Sequence, residues 1–151
     1  MTTLDIEIRK AEEKDIPSII ALHSEIDLSN EESISLQNAN IIFSRIQSYP
    51  NYHIYVALIQ GEVVGTFALL IMHNLAHNGA PSGIVEDVAV RREWQGKGIG
   101  KHMMAYAMQR CKEAGCYKMA LSSNSIRENA HRFYESLGFN KHGYSFVVDI
   151  I

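Results

Sequence analysis

Residues 83–100 read GIVEDVAVRREWQGKGIG, in which an apolar strand pattern leads through three alternate glycines into a helical pattern. Backbone N–H groups converge at the start of a helix, and glycine lets phosphate oxygens approach the main chain closely. Lys97 and Lys101 add positive charge to this turn. The stretch therefore predicts an anion site where a strand passes into a helix.

Two established phosphate-binding patterns do not fit this turn. A P-loop has four residues between its first glycine and a Gly-Lys pair that precedes Ser or Thr, whereas three residues separate Gly96 from Gly100, and His102 follows Lys101. The dinucleotide pattern G-x-G-x-x-G lies near the start of a βαβ unit. The spacing here is G-x-G-x-G, about two-thirds along the chain. A tight turn without a ligand is the remaining alternative.

Apolar periodicity along the chain predicts a mixed sheet with helices on its faces. The predicted strands are 6–9, 53–60, 62–72, 83–90 and 118–122, with one or two more within 139–150. A first helix is expected to begin with Asp15 as its N-cap, and further helices to cover 35–49, 98–114 and 129–137. Ile41, Ile42 and Ile46 are expected on one side of the second helix. Ile99, Met103, Ala107 and Cys111 are expected on one side of the third.

The composition is that of a globular protein. The 151 residues are 46% hydrophobic and 21% charged, which predicts one domain over residues 1–151. The formal net charge of -3 argues against a nucleic-acid partner. The longest apolar run, 67–72, is far shorter than the ~20 residues of a membrane span, and the N-terminus is too charged for a signal peptide. We therefore expect a cytoplasmic protein, most simply a bacterial one.

Glu86 and Asp87 are adjacent acids inside an otherwise apolar strand. Successive strand side chains point to opposite faces, so one acid is expected to face a cleft unless a bulge re-aims both. A carboxylate can attract an ammonium group and then accept its proton, directly or through water. The alternative is that both acids lie in solvent at the end of the strand.

His73 and His77 have the i, i+4 spacing of some zinc sites, but the glutamate of the metalloprotease motif is missing. The surrounding segment 73–82 is polar and reads as a loop. No metal site is predicted. A loop at the rim of a pocket is expected instead, with His73 or His77 as the candidate contact with the substrate.

Several motifs together resemble one protein family. Gln95-x-x-Gly98-x-Gly100 resembles the acetyl-CoA pyrophosphate loop of the GNAT superfamily of N-acetyltransferases. Residues 129–139, NAHRFYESLGF, resemble its later helix, in which a Tyr precedes Leu-Gly-Phe. Residues 8–17 and 61–65 are similar to its first strand and helix and to its strand hairpin. The likeness covers nearly the whole chain and is closest to bacterial small-amine acetyltransferases, including those for aminoalkylphosphonates, and to glucosamine-6-phosphate acetyltransferases.

The resemblance implies an α/β fold, in the sense of an α+β mixed sheet with six to seven mostly antiparallel strands and four helices. It implies acetyl transfer from acetyl-CoA to a primary amine of a small molecule by direct attack, without a metal, in a homodimer. It also implies that the polar segment around Glu31 and Glu32 closes over the acceptor. A protein or peptide N-acetyltransferase and a non-catalytic acyl-CoA-binding sensor are the alternatives.

The same resemblance implies roles for individual residues. Glu86 is the expected base, the Val88 N–H the oxyanion donor, and Tyr134 the acid that protonates the departing thiolate. The expected substrate contacts are Glu86, Asp87, His77 and Arg127. The expected coenzyme A contacts are Val88, Ala89, Val90, Gln95, Gly96, Lys97, Gly98, Ile99, Gly100, Lys101, Asn129 and Tyr134.

Arg127 marks a departure from the family pattern. It stands where many members have the asparagine that holds the pantetheine arm, and Asn124 and Asn129 are out of register with that position. Arg127 is expected to meet a phosphate or the substrate instead. Cys111 and Cys116 are expected to be free thiols, and since neither forms a recognisable Cys-His pair, direct attack is expected.

Overall fold

The computed structural model describes residues 4–26, 33–123, 125 and 127–150. Glu31, Glu32 and Asn124 lie outside the described residues. The chain divides into two compact units, Met1–Ala120 and Leu121–Ile151.

Five strands and four helices make up the regular structure of the described residues. The strands are β1 (Glu7–Lys10), β2 (Tyr52–Ile59), β3 (Glu62–Met72), β4 (Ser82–Val90) and β5 (Lys118–Leu121). The helices are α1 (Ile16–Glu25), α2 (Leu36–Ser48), α3 (Ile99–Glu113) and α4 (Glu128–Ser136). Short 3-10 turns lie at Glu13–Asp15, His77–Gly79 and Arg92–Trp94. None of these helices has both the length and the apolar character that a membrane span needs.

The strands form one sheet in the order β1-β2-β3-β4-β5, and the first four run antiparallel to their neighbours. Gln60 and Gly61 connect β2 to β3 with φ of 50° and 79°, which is the left-handed geometry of a two-residue hairpin. Tyr117 donates its N–H to the Pro81 carbonyl at 3.0 Å. Because this bond joins the starts of β4 and β5, the two strands run parallel and the sheet is mixed.

The expected mixed sheet with four helices is confirmed, but the number of strands is lower than the expected six to seven. Residues 139–150 form no strand, and residues 140–150 are all exposed. The branched and aromatic residues of this segment favour β structure, but a strand also needs a neighbouring edge for its hydrogen bonds. The strand prediction for 139–150 is therefore wrong for this structure.

Both faces of the central strands are buried. Val56 and Leu58 of β2 pack with α1 and α2, through a cluster that includes Leu22 and Phe43. Tyr55 directly precedes Val56 in sequence and therefore points to the opposite face. There its ring stacks on Phe67 with centroids 5.0 Å apart and contacts Tyr106 of α3 edge-on at 5.4 Å.

The apolar side of α3 is as predicted. Ile99, Met103, Ala107 and Cys111 are all buried. The helix lies so close to β4 that a Cβ at Gly83 would collide with the Cys111 sulfur. Glycine at this position therefore allows the helix to pack against the strand.

The buried side of α2 differs from the prediction. Ala39 and Phe43 are buried and Ile46 is half-buried, whereas Ile41 and Ile42 are 48% and 42% exposed. The buried residues follow the i, i+4, i+7 spacing of one helical face. Ile41 and Ile42 fall outside that face, so placing them beside Ile46 was wrong.

Asp15 fixes the entry to α1. It is 4% exposed, and its carboxylate accepts two hydrogen bonds from Arg9, at 2.7 and 3.0 Å, and one from the Glu12 N–H at 2.7 Å. It thus closes the 3-10 turn before the helix, and its side chain makes no cap bond to α1. Burial alone raises the pKa of Asp15, but the bonds from Arg9 and Glu12 outweigh it and hold the pKa below its usual value.

We predict that Asp15→Asn lowers the free energy of unfolding by about 2 kcal/mol at neutral pH, because charge-assisted hydrogen bonds contribute about 1.5–3 kcal/mol. Urea unfolding measures the difference. Since the folded-state pKa is depressed, this stabilisation is present above the unfolded-state pKa and disappears as the pH falls through the folded-state value. Glu13→Gln, an exposed control, should change stability by less than about 0.5 kcal/mol. Equal losses in the two variants would contradict the role of Asp15.

Candidate active site

The turn between β4 and α3 is built on left-handed glycines. Gly96 has φ of 77° and Gly98, the N-cap of α3, has φ of 88°. The first helical hydrogen bond runs from the His102 N–H to the Gly98 carbonyl at 3.0 Å. The N–H groups of residues 99–101 precede it and therefore have no acceptor within the helix.

The space over this turn is open. A Cβ built on Gly96 or Gly98 meets no atom within 4 Å. Lys97 and Lys101 are exposed, and the Lys97 amine lies 4.9 Å from the centroid of the Trp94 ring. Free N–H groups, the positive end of the helix dipole and two lysines together suit a negatively charged group such as a phosphate.

Side-chain hydrogen bonds hold the turn in place. The Gln95 amide donates to the Val90 carbonyl at 3.0 Å, which ties the turn to the end of β4. The Glu25 carboxylate at the end of α1 accepts the Arg92 N–H at 2.6 Å. Gln95 was expected to contact coenzyme A, and in this structure its amide closes the turn.

A β-bulge lies at the acid pair of β4. Ala68 pairs with Glu86 and Thr66 pairs with Ala89, so two steps along β3 match three steps along β4. Asp87 within this interval has φ of 53°. The extra residue places Glu86 and Ala89 on the same face of the sheet. The bulge that the sequence left open as an alternative is therefore present.

Glu86 and Asp87 interact electrostatically with two residues from other elements. Both acids are exposed, yet partial burial and the charge of Asp87 raise the pKa of Glu86. Burial, Asp87 and Glu86 raise the pKa of Tyr52 at the start of β2. Burial lowers the pKa of His23 on α1, while the charge of Asp87 acts in the opposite direction. The four side chains thus form one candidate acceptor site in the first unit.

The sequence did not indicate His23 or Tyr52 as site residues. Both are half-buried, and the Tyr52 ring stacks on Tyr49 with centroids 6.2 Å apart. Helical spacing shows only that His23 adjoins the apolar side of α1, and Tyr52 immediately follows a turn. Their place beside the acids depends on how α1 and β2 pack, which no local pattern records.

At the end of β4, the polar groups within reach of a ligand belong to the main chain and not to side chains. Ala89 is buried in the core cluster on the α1 and α2 side. Val88 and Val90 are half-buried. Since these side chains are apolar, the polar groups that residues 88–90 can present are their N–H and carbonyl groups.

His77 lies on the exposed loop before β4. Its ring stacks on Tyr117 with centroids 4.0 Å apart, and its φ of 55° begins a left-handed stretch that continues through Asn78 and Gly79. Within the described part of the chain, no group of His, Cys, Asp and Glu side chains is arranged to hold a metal ion. The loop position expected of His77 is confirmed, and its contact with substrate stays a prediction.

Tyr134 lies on α4 in the second unit. It is half-buried, with its ring 5.1 Å from that of Phe133 and 5.6 Å from that of Phe139. Burial raises the pKa of Tyr134, and the charge of Arg127 opposes this only in part. The phenol is therefore protonated at neutral pH, which is the form that can donate a proton.

Arg127 and Asn129 flank the start of α4. Both are exposed. The side-chain amide oxygen of Asn129 accepts a hydrogen bond from the Arg132 guanidinium. Arg127 forms the N-cap of the helix without a side-chain cap bond. A guanidinium only donates hydrogen bonds, so it cannot accept the first N–H groups of the helix.

Comparison with known proteins identifies the family. The family model described as Acetyltransferase (GNAT) family matches residues 16–139. The chain is 33% identical to the aminoalkylphosphonate N-acetyltransferase of Salmonella typhimurium over 93% of this chain and 89% of that protein. It is 29% identical to the glucosamine 6-phosphate N-acetyltransferase of Trypanosoma brucei brucei over 97% of each.

A solved structure agrees with this match. A putative acetyltransferase from Agrobacterium tumefaciens superimposes with a TM-score of 0.90 at 28% identity, covering 95% of this chain and 99% of that one. The resemblance read from the glycine turn and the Leu-Gly-Phe motif is thus confirmed. The chain belongs to the acetyltransferase (GNAT) family and is an N-acetyltransferase.

Proposed function

We propose that this protein transfers the acetyl group of acetyl-CoA to a primary amine of a small molecule by direct attack. The observation that carries the proposal is the continuity of β4: the Glu86–Asp87 pair, in which the pKa of Glu86 is raised, lies on the strand that leads into the open glycine turn. The two relatives named above act on an aminoalkylphosphonate and an amino sugar phosphate, which supports a small amine as acceptor. The family model spans both units, which supports one functional domain over residues 1–151.

The glycine turn is the proposed anchor for acetyl-CoA, which supplies an activated acyl thioester. The N–H groups of residues 96–101 hold the diphosphate, helped by the charges of Lys97 and Lys101. The main chain of residues 88–90 faces the pantetheine arm. In the second unit, Asn129 and Tyr134 are the proposed further contacts.

Glu86 is the proposed base. A primary amine resembling that of lysine has a pKa of ~10.4 and is mostly charged at neutral pH. Glu86 and Asp87 attract this ammonium group, and Glu86 accepts its proton directly or through water. The raised pKa of Glu86 makes it a stronger base than an ordinary carboxylate.

The Val88 N–H is the proposed donor to the oxyanion. Bulged residues leave part of the strand ladder unpaired. Val88 directly follows the left-handed Asp87, so it lies in the irregular part of β4. Preorganised donors of this kind contribute about 2.7–4 kcal/mol in other acyl-transfer enzymes.

Tyr134 is the proposed acid. The departing thiolate resembles that of cysteine, whose thiol has a pKa of ~8.5. A tyrosine kept protonated by burial can supply the proton that this thiolate needs. Arg127, whose charge reaches Tyr134, is the proposed contact for a phosphate or phosphonate group, and His77 a further substrate contact.

Cysteine chemistry supports direct attack. Burial and the neighbouring Cys116 raise the pKa of Cys111 to about 12. The thiolate is the nucleophilic form of cysteine, and at this pKa it is scarce near neutral pH. Cys111 is therefore unsuited to carry an acetyl group between donor and acceptor. Both cysteines are free, which is in keeping with a reducing compartment such as the cytoplasm.

A homodimer is the proposed assembly, with a second copy of the chain covering the C-terminal segment, residues 140–150. Five large apolar side chains of this segment are 79–92% exposed. Contiguous exposed apolar surface of this kind marks an interface. The exposed residues are Tyr144, Phe146, Val147, Val148 and Ile150.

The central prediction is that small primary amines release free thiol from acetyl-CoA in the presence of the protein. Glu86→Gln is expected to reduce kcat about 10²–10⁴-fold, since general base catalysis contributes that much. In single-turnover assays, Tyr134→Phe should lower the rate constant of acetyl transfer. Glu86→Gln should keep wild-type affinity for acetyl-CoA in calorimetry, and Glu13→Gln, an exposed control, should keep full activity.

The pH profile tests the assignment of Glu86. In the wild type, kcat/KM should fall as the pH drops through the raised pKa of Glu86, and this acid limb should be absent from Glu86→Gln. Binding of acetyl-CoA without turnover of any amine would identify a sensor domain, and turnover of peptides alone a peptide acetyltransferase. Parallel lines in a double-reciprocal series would contradict direct attack.

A second prediction tests the acceptor site without turnover. Asp87→Asn removes the negative charge that stabilises the protonated imidazole of His23, so the pKa of His23 should fall further below its usual value. Titration of the histidine ring signals by NMR measures it. Glu86→Gln is the matched control and should leave the pKa of His23 unchanged. A His23 pKa that does not respond to Asp87→Asn would remove His23 from the site.

A third prediction tests the assembly. Light scattering should give twice the chain mass of 17.0 kDa for the wild type. Phe146→Lys combined with Val148→Lys should give a monomer, because each adds a charge to the surface proposed to be buried. Leu75→Lys is the control. Leu75 is a fully exposed loop residue that lies outside this segment, so its substitution should leave the dimer intact. A monomeric wild type would contradict the proposal.

A further inference from the structure

A cavity of about 340 Å³ lies between α3 and the sheet, away from the glycine turn and the acid pair. This volume falls within the range of about 300–1,000 Å³ that is usual for small-molecule sites. Leu69 and Ile71 of β3 form an apolar wall, and Tyr106 of α3 lines the cavity opposite them. Lys10 and Arg110 supply its cationic groups. The proposed function uses none of these side chains.

Strand register places the cavity and the acid pair on opposite faces of the sheet. His53 pairs with Leu69, which in turn pairs with Val85, and paired residues share a face. Glu86 follows Val85 and therefore points to the other face. Along α3, Arg110 lies twelve residues beyond Gly98, which is about 18 Å at 1.5 Å per residue. A ligand in the cavity would thus lie on the opposite face of the sheet from the Glu86 side chain and far along α3 from the glycine turn.

The two cationic side chains of the cavity differ in their ion pairing. The Arg110 guanidinium pairs with the Glu113 carboxylate at 2.7 Å, whereas Lys10 forms no ion pair with any described residue. Burial and the charge of Lys10 lower the pKa of His53, so its ring is neutral at neutral pH. The amine of Lys10 is therefore a positive charge that no described carboxylate pairs with.

The walls beside this charge are flat and apolar. Tyr55 is buried and meets the Tyr106 ring edge-on at 5.4 Å. The Arg110 guanidinium lies 4.8 Å from the centroid of the Tyr106 ring, and its Nε is buried without a hydrogen-bond partner among the described residues. Aromatic and aliphatic walls of this kind suit a planar apolar group.

We propose that this cavity binds a small monocarboxylate with a planar apolar body. The carboxylate is held by Lys10, with neutral hydrogen-bonding groups from Asn51 and His53 beside it, and the apolar body lies between Tyr106 and Leu69. A single negative charge matches the single unpaired amine. A phosphate dianion would bring a second negative charge into the cavity. The Glu113 carboxylate, which already pairs with Arg110, would repel that charge.

The test uses phenylacetate as probe and phenylacetamide as its uncharged counterpart, titrated into the full chain without acetyl-CoA. Calorimetry should show phenylacetate binding at least about tenfold more tightly than phenylacetamide. Lys10→Met should weaken phenylacetate binding about tenfold and leave phenylacetamide binding unchanged. Lys14→Met is the matched control, because Lys14 is an exposed lysine paired with Glu12 outside the cavity, and it should bind phenylacetate as the wild type does.

Histidine NMR signals locate the bound probe. Phenylacetate should shift the ring signals of His53, which lines the cavity, and leave those of His23 on the opposite face in place. Equal affinity for the acid and the amide, equal losses in the two lysine variants, no detectable binding, or a shift of His23 instead of His53 would each overturn the proposal. None of these results bears on thiol release from acetyl-CoA, so the proposal for this cavity and the proposed acetyl transfer are tested independently.

Discussion

The positive φ angles of Gly96 and Gly98 are the constraint on which the rest of the site depends. A left-handed backbone costs roughly 1–2 kcal/mol per residue that carries a Cβ, so glycine is the residue that forms this turn without strain. The turn begins α3 within nine residues of the end of β4 and leaves the first three helical N–H groups without an acceptor in the helix. Gln95 and Glu25 then fix the turn to β4 and α1. These bonds hold the glycine turn in position relative to the acids of β4.

The bulge in β4 decides what lies on each face of the sheet. By inserting one residue at Asp87, it keeps Ala89 in the core beside α1 and α2 and places Glu86 on that same side. His23 and Tyr52 approach the acids from the helix and strand on this side. The other side is shared by the buried stripe of α3 and the cavity near Lys10. One small unit thus presents two chemically different surfaces, one acidic and one cationic with aromatic walls.

The sequence predicted those features that a local pattern encodes. The glycine spacing located the turn, Gly61 between two strand patterns located the hairpin, and the helical period identified the buried side of α3. Features that depend on packing were missed. Ile41 and Ile42 carry as strong an apolar signal as Phe43, and only the position of the sheet decides which side of α2 is buried. Likewise, β propensity in 139–150 could not show whether a neighbouring edge exists, and nothing near His23 or Lys10 in sequence records the residues that face them.

The central claim is that the main chain from Gly96 to Lys101 binds the diphosphate of coenzyme A. The most direct measurement is NMR of the isotopically labelled protein during titration with coenzyme A. The account predicts that the amide signals of Gly96, Gly98 and residues 99–101 move together and saturate, while those of the cavity residues on the far half of α3 stay in place. Saturable binding of coenzyme A with the turn amides unmoved would contradict it.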